Sequence, residues 1–307
     1  IKGSIMMNEL SEKILKLKKE KNAIILAHLY QIPEVQEIAD YVGDSYYLSQ
    51  VARDAKEDLI IFCGVKFMAE SAKVLSPDKT VILPAPNAGC PMADMAEVED
   101  VEEMIKKYPD AFKVCYINSS YEVKALCDAS VTSSSALNIM NNIPNKQILF
   151  LPDQNLGGYI AEFFPEKEFI LWRGFCPTHH RITAEDVLNA KQEHPNVKVL
   201  AHPECSKEVR ELSDYLGSTS GIIDYATKCE DNEFIIATEE GVLHQLQKKN
   251  PNKKFYFPEM MVCPNMKKTT LQDIYDALDG KREEVVLDEE IRQKALTSLE
   301  NMHKLGN

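Results

Sequence analysis

The chain has 307 residues, 44% of them hydrophobic and 27% charged, the balance of an ordinary globular protein with room for two or three domains. Lys and Arg total 35 against 48 Asp and Glu, and the resulting net charge of −13 excludes a broad nucleic-acid or anionic-membrane surface, though not one small basic pocket. No apolar run approaches the roughly 20 residues needed to cross a bilayer.

Ile1-Lys2-Gly3-Ser4-Ile5-Met6 reads as an expression remnant ahead of a native start at Met6 or Met7, and it lacks the apolar stretch of a signal peptide. Helical patterning then covers Asn8–Glu20 and is followed by a β-rich run, Ala23–His28. A second strand is expected at Leu59–Cys63. The same order recurs with helix Val98–Lys107, strand Lys113–Asn118 and strand Gln147–Leu151. It recurs again with helix Ala184–Gln192, strand Val197–His202 and strand Glu233–Ala237. Short apolar runs bounded by turns and alternating with helices read as buried parallel strands of α/β units. Glu289–Leu305 reads as an amphipathic helix packed on the outside.

The three stretches are in register. Asp40, Asp128 and Asp214 each follow His28, Tyr116 and His202 by 12 residues, and Ser45, Ser133 and Thr219 follow each Asp by five. A third strand is expected to end in Cys-Pro each time, at Cys90-Pro91, Cys176-Pro177 and Cys263-Pro264, with the cysteines 86 and 87 residues apart. A period that long is not a solenoid. It predicts an α/β fold of three similar α/β/α sandwich units, related by pseudo-threefold symmetry around a central active site. The expected divisions are residues 1–6 (the remnant), 7–93, 94–180 and 181–266 for the three units, and 267–307 for C-terminal helices.

In parallel α/β sheets ligands sit beyond the carboxyl ends of strands, where the repeated polar landmarks fall. Three units around one axis would set equivalent residues in rings: His28/Tyr116/His202, Tyr30/Asn118/Glu204, Ser45/Ser133/Thr219, and Cys90/Cys176/Cys263. The eight cysteines lie in no CxxC, which removes zinc ribbons and ferredoxin-type spacing. Cys63, Cys115 and Cys127 sit inside apolar segments and read as core thiols, and Cys229 as a surface-loop thiol. Cys205 follows a polar landmark without a repeat partner. Three convergent thiolates suit zinc, copper(I) or an iron–sulfur cluster, and spacing alone does not choose among them.

The set Ala27-His28-Leu29-Tyr30-Gln31, Gly43-Asp44-Ser45, Cys90-Pro91-Met92-Ala93, Tyr116-Ile117-Asn118-Ser119, His202-Pro203-Glu204-Cys205, Gly217-Ser218-Thr219 and Val262-Cys263-Pro264-Asn265-Met266-Lys267-Lys268 closely resembles the quinolinate synthase family of pyridine nucleotide (NAD) biosynthesis, from about Leu10 to the final helix. Eight cysteines spread through the chain fit a reducing cytoplasm. The resemblance implies an oxygen-sensitive transferase that condenses iminoaspartate with dihydroxyacetone phosphate to give quinolinate, phosphate and water. It also implies a [4Fe–4S] cluster acting as a Lewis acid on three ligands, here Cys90, Cys176 and Cys263, and a functional link to an aspartate-oxidising enzyme. Leu29 departs from the family pattern, with consequences expected for packing rather than chemistry.

On that resemblance Ser45 and Ser133, followed by Ser218 and Thr219, form a neutral anion cradle; their alternative role is helix N-capping. Glu204 is expected as general base with Tyr30 as its proton-transferring partner. His28 and His202 bind carboxylate or carbonyl oxygens and relay protons, while Tyr116 and Asn118 orient substrate. His179 and His180, read as neighbours on a strand, would point oppositely and are left out of the metal site. Lys267 and Lys268 read as a solvated pair, one of which could close over a phosphate. Two competing readings are a three-cysteine zinc hydrolase of phosphorylated small molecules and a non-catalytic iron–sulfur sensor. The sensor would want a basic surface that the composition does not offer.

Overall fold

The computed structural model describes residues 9–259 and 261–306, so the expected remnant at 1–6 lies outside the described residues. Twelve strands among the described residues form three parallel sheets of four. The first contains β1 (Ala23–His28), β2 (Tyr41–Gly43), β3 (Leu59–Cys63) and β4 (Thr80–Ile82), in the order β2-β1-β3-β4. The second contains β5 (Phe112–Tyr116), β6 (Ala129–Val131), β7 (Gln147–Leu151) and β8 (Glu168–Leu171), in the order β6-β5-β7-β8. The third contains β9 (Lys198–Ala201), β10 (Tyr215–Leu216), β11 (Glu233–Ala237) and β12 (Lys254–Tyr256), in the order β10-β9-β11-β12. All three sheets therefore share one topology, whose first strand lies inside and whose second turns back to the edge.

The inner strands are where the apolar runs predict them, because helices cover both faces and leave no polar alternation. Every residue of β1 is buried. Its partner β3 runs beside it from Ala23↔Leu59 to Ala27↔Cys63. The matching pairs are β5 with β7, ending at Cys115↔Leu151, and β9 with β11, ending at Ala201↔Ala237. The edge strands β2, β6 and β10 are additions that the sequence pattern did not reveal. The expected Cys-Pro strand ends need correcting as well. β4, β8 and β12 stop at Ile82, Leu171 and Tyr256, and each cysteine sits in the loop that follows.

The repeat extends to single hydrogen bonds. Asp40, Asp128 and Asp214 each accept, through Oδ2 at 2.8 Å, the backbone N–H of Ile25, Lys113 and Val199 near the start of the first strand. Their own N–H groups donate to the carbonyls of those residues, again at 2.8 Å. Each Asp thus satisfies a backbone donor of the inner strand immediately before its own edge strand begins.

The described residues of Ile1–Cys90 and Pro264–Glu289 make one compact unit, and those of Pro91–Cys263 and Glu290–Asn307 make a second. In the first, Ile14 of helix Glu9–Glu20 packs with Ile25, Ile61, Ile274 and Leu278. Each such side chain contributes about 1.5–3 kcal/mol by leaving water. Ile274, Ala277 and Leu278 share one face of helix Leu271–Leu278, which Thr270 and Asp273 start with a capping box. In the second unit, the expected C-terminal helix forms at Glu289–Leu305 and buries Ala295, Ser298, Leu299 and Met302. Its Asn301 Nδ2 donates to the Asp128 carbonyl at 2.8 Å. No helix among the described residues is long and apolar enough to cross a membrane.

Candidate active site

The landmark cysteines occupy equivalent, braced positions. The third residue after each central strand donates its N–H, at 2.8 Å, to the carbonyl two residues before the cysteine: Lys66 to Ala88, Gln154 to Gly174, and Glu240 to Met261. At Gly174 the approach is so close that a Cβ would lie 2.4 Å from the Pro152 oxygen, so the residue has to be glycine. Pro91 and Pro177 then begin short helices, where a missing N–H costs nothing. Cys90, Cys176 and Cys263 are partly exposed, whereas Cys63, Cys115, Cys127 and Cys205 are buried. Burial pushes the Cys63 and Cys205 thiols far up, which keeps them inert. Cys229 is also partly exposed, but its Sγ lies 3.2 Å from Asp231 in a surface turn.

Two of the strand-end histidines repeat a second motif. His28 Nδ1 accepts the Tyr30 N–H at 3.1 Å, and His202 Nδ1 accepts the Glu204 N–H at 3.2 Å. A neutral imidazole that accepts at Nδ1 carries its proton at Nε2. His202 Nε2–H accordingly donates to Ser133 Oγ at 3.1 Å. Burial pushes the His202 pKa down to about 4, so its ring is neutral near pH 7. The His28 and Tyr30 rings meet edge to face with centroids 4.6 Å apart, and the Tyr30 carbonyl accepts Lys267 Nζ at 2.8 Å.

Within the second compact unit, Glu204 is where the predicted residues converge. Tyr116 Oη donates to Glu204 Oε1 at 2.6 Å. His179 Nδ1 lies 2.7 Å from Glu204 Oε2, close enough to share a proton, and His202 Nδ1 is 3.9 Å from the same oxygen. Burial opposes ionisation of Glu204. The neighbouring His202 and His179, with the hydrogen bonds from His179 and Tyr116, outweigh it and hold the carboxyl well below the usual carboxylate range. Glu204 is a buried anion fitted with donors.

The nearest Glu204 partner revealed by the structure is thus Tyr116 together with His179, a residue the sequence reading set aside. That reading assumed a strand. Pro177–His180 is a helix instead, on which His179 is buried and His180 exposed. His179 Nε2 meets Thr238 Oγ1 at 2.9 Å and its Nδ1 lies 3.3 Å from Cys176 Sγ. His180 is near Asn155 Nδ2 at 3.4 Å, away from the thiol.

Two of the hydroxyl landmarks are relieved of capping, because the preceding residue does it: Asp44 and Ser218 accept the N–H groups of Tyr47 and Gly221 at 3.0 and 3.1 Å. Thr132 accepts the Ser135 N–H at 3.2 Å in a turn ahead of helix Ala136–Asn141, which has no side-chain cap. Ser45 and Thr219 are the first residues of helices Ser45–Asp54 and Thr219–Lys228. Ser218 is a cap here rather than a spare hydroxyl. Asn118 Oδ1 is buried with no hydrogen-bond partner among the described residues. Its loop is fixed by Ser119, whose Oγ donates to the Tyr116 carbonyl at 2.8 Å and whose carbonyl accepts the fully buried Lys124 ammonium. Lys268 Nζ donates to the Asn87 carbonyl at 2.7 Å.

Two buried acids were also missed: Asp153 and Glu239 lie two residues past β7 and β11, where the first sheet has Val65 after β3. Glu239 Oε1 accepts the Cys263 N–H at 3.0 Å and Oε2 the Gly241 N–H at 2.7 Å. Asp153 Oδ1 accepts the Asn155 and Leu156 N–H groups at 2.8 and 3.2 Å, and burial with the Glu204 charge holds its carboxyl well above the usual range.

Comparison with known proteins identifies the lineage. The family described as Quinolinate synthetase A protein matches residues 12–304. The chain belongs to the quinolinate synthetase A family. Among curated relatives it is 60% identical to a quinolinate synthase of Clostridioides difficile over 98% of this chain and 99% of that one. It is 60% identical to a quinolinate synthase of Clostridium perfringens (strain SM101) over 97% and 99% of the two chains. The quinolinate synthase of Caldicellulosiruptor bescii is 56% identical over 97% and 98%.

The donor chemistry of this family member fits a thiolate-bound cluster. The three braced thiols are accessible ones while four others are sealed in the core, and none of the eight is in a disulfide. Leu29, expected to matter for packing, is buried, and its carbonyl accepts Gln36 Nε2 at 3.0 Å. It is therefore a packing residue.

Proposed function

We propose that the chain is a quinolinate synthase, condensing iminoaspartate with dihydroxyacetone phosphate into quinolinate, phosphate and water for NAD biosynthesis. The carrying observation is the identity of 60% over nearly the whole chain with relatives that bear this name. Cys90, Cys176 and Cys263 hold a [4Fe–4S] cluster, and the three α/β units surround one central site in pseudo-threefold fashion. When bound, a cluster with three protein thiolates supplies a Lewis-acidic iron with an open position and needs no redox change.

The chain's own residues do the rest. Glu204 is ionised and takes a proton from substrate carbon. Tyr116 Oη on Oε1 and His179 Nδ1 on Oε2 orient the carboxylate and set which lone pair is presented. His28 and His202, protonated at Nε2, donate to carboxylate or carbonyl oxygens. Tyr30 transfers the returning proton through its hydroxyl. Ser45, Ser133 and Thr219, with the N–H groups beside Ser218, receive the phosphate; the freedom of Ser45 and Thr219 from capping supports this role. The unpartnered Asn118 Oδ1 accepts a donor from substrate. We place the enzyme in the cytoplasm, supplied with its unstable imine by an aspartate-oxidising enzyme.

Anaerobic purification tests the proposal. Brown protein with about four irons and four sulfides per chain, forming quinolinate from the two substrates, is the expected result. Colourless protein with stoichiometric zinc, or coloured protein making no quinolinate, would overturn it.

A further inference from the structure

Three donor atoms of different chemistry crowd together in the second unit. Cys176 Sγ lies 3.3 Å from His179 Nδ1, which lies 2.7 Å from Glu204 Oε2. All three ligand atoms fall within 4.8 Å of one another. A tetrahedral ion with one sulfur, one nitrogen and one oxygen ligand needs donor–donor edges of about 3.3–3.6 Å, from bonds of about 2.3, 2.0 and 2.1 Å. Reaching that shape asks the His–Glu contact to open by about 0.6 Å, within the swing of a glutamate side chain.

The geometry points to a mononuclear divalent-ion site built from Cys176 Sγ, His179 Nδ1 and a Glu204 carboxylate oxygen, occupied by Zn²⁺, Fe²⁺ or Co²⁺ when Cys176 carries no cluster. The mixed donors select borderline ions over Mg²⁺ and Ca²⁺, which take oxygen alone. The supporting shell is already in place. Thr238 Oγ1 sits 2.9 Å from His179 Nε2, and Tyr116 Oη holds the other Glu204 oxygen.

The protons balance. His179 coordinates through Nδ1, so a proton held there moves to Nε2, where Thr238 Oγ1 accepts it. The Cys176 thiol loses one proton to solvent. Thiolate and carboxylate then offset the charge of the ion, and the fourth position is left for water. Because Cys176 is partly exposed, the group is reachable. The ion and a cluster exclude each other at Cys176; that competition rests on the function proposed above, whereas the ion site does not. An ion there also immobilises Glu204 and His179.

The test is a Co²⁺ titration of the full-length chain freed of metal with a chelator, under anaerobic conditions. One Co²⁺ per chain is expected, with four-coordinate visible bands and a charge-transfer band of one thiolate. Cys90→Ser and Cys263→Ser should keep this spectrum, while Cys176→Ser and His179→Gln weaken binding at least tenfold. X-ray absorption of the zinc-loaded wild-type chain needs no variant and should give one sulfur among nitrogen and oxygen neighbours. A three-sulfur shell, loss of the spectrum in Cys90→Ser or Cys263→Ser, or no stoichiometric ion would overturn the site. Failure of the cluster reading would leave all these results unchanged, and appears separately as an absence of iron.

Discussion

Replacing Glu239 by Gln tests how the protein holds one of its landmark cysteines. The carboxylate is fully buried and serves two backbone donors, Cys263 N–H at 3.0 Å and Gly241 N–H at 2.7 Å. An amide of the same shape keeps one oxygen and turns an NH₂ toward the other donor. One charge-assisted hydrogen bond is lost, worth about 1.5–3 kcal/mol. Opening of the abandoned amide becomes easier by that amount, so its hydrogen exchange should quicken by roughly 10–150-fold. Exchange mass spectrometry on the metal-free chain reads this in peptides spanning Cys263 and Gly241. The Gln154 amide, held by the Gly174 carbonyl in the equivalent loop, is the internal control and should not change. Wild-type exchange at both Cys263 and Gly241 would refute the idea that the carboxylate fixes this loop.

Glu204→Gln should retain iron and visible colour while losing about 10²–10⁴-fold in turnover; near-wild-type turnover would remove it as the base. Single Cys→Ser changes at 90, 176 and 263 should each strip iron, whereas Cys63→Ser should keep its iron and lose about 1–3 kcal/mol of stability to a buried hydroxyl, read by metal analysis and urea unfolding. Acidification should destabilise the fold through His202, whose pKa is about 4 when folded against an ordinary 6.5. Between those values the unfolded chain binds the additional proton, so stability falls as pH falls, by roughly 3 kcal/mol over the whole interval. His202→Gln should flatten the urea midpoint between pH 6.5 and 4; an unaltered slope would show that another group is responsible.

How much was legible depended on length and on locality. β3, β7 and β11 fall on the expected residues because four or five consecutive apolar positions between turns admit few other readings. β2, β6 and β10, with two or three residues each, carry no periodicity and become visible only through the Asp residues that pin them. The hydroxyl landmarks were found, but not that Asp44 and Ser218 would take over the capping beside Ser45 and Thr219. His179 was missed for a local reason: a proline after Cys176 reads equally as a strand terminator or a helix start, and only the helix turns one histidine inward. Its meeting with Glu204 joins residues of different sheets, which no local pattern encodes.

The backbone grip on His28 and His202 has a further consequence for what each ring will bind. With Nδ1 occupied from behind, the Nε2 edge of each ring has one polarity, shown by His202 giving its proton to Ser133 Oγ: it donates a hydrogen bond and has no lone pair to receive one. Molecules presenting oxyanions or carbonyls there are welcomed, and ammonium groups meet a proton facing a proton. The preference for oxygen acceptors over cationic donors is thereby written into two tautomers rather than into any charged residue.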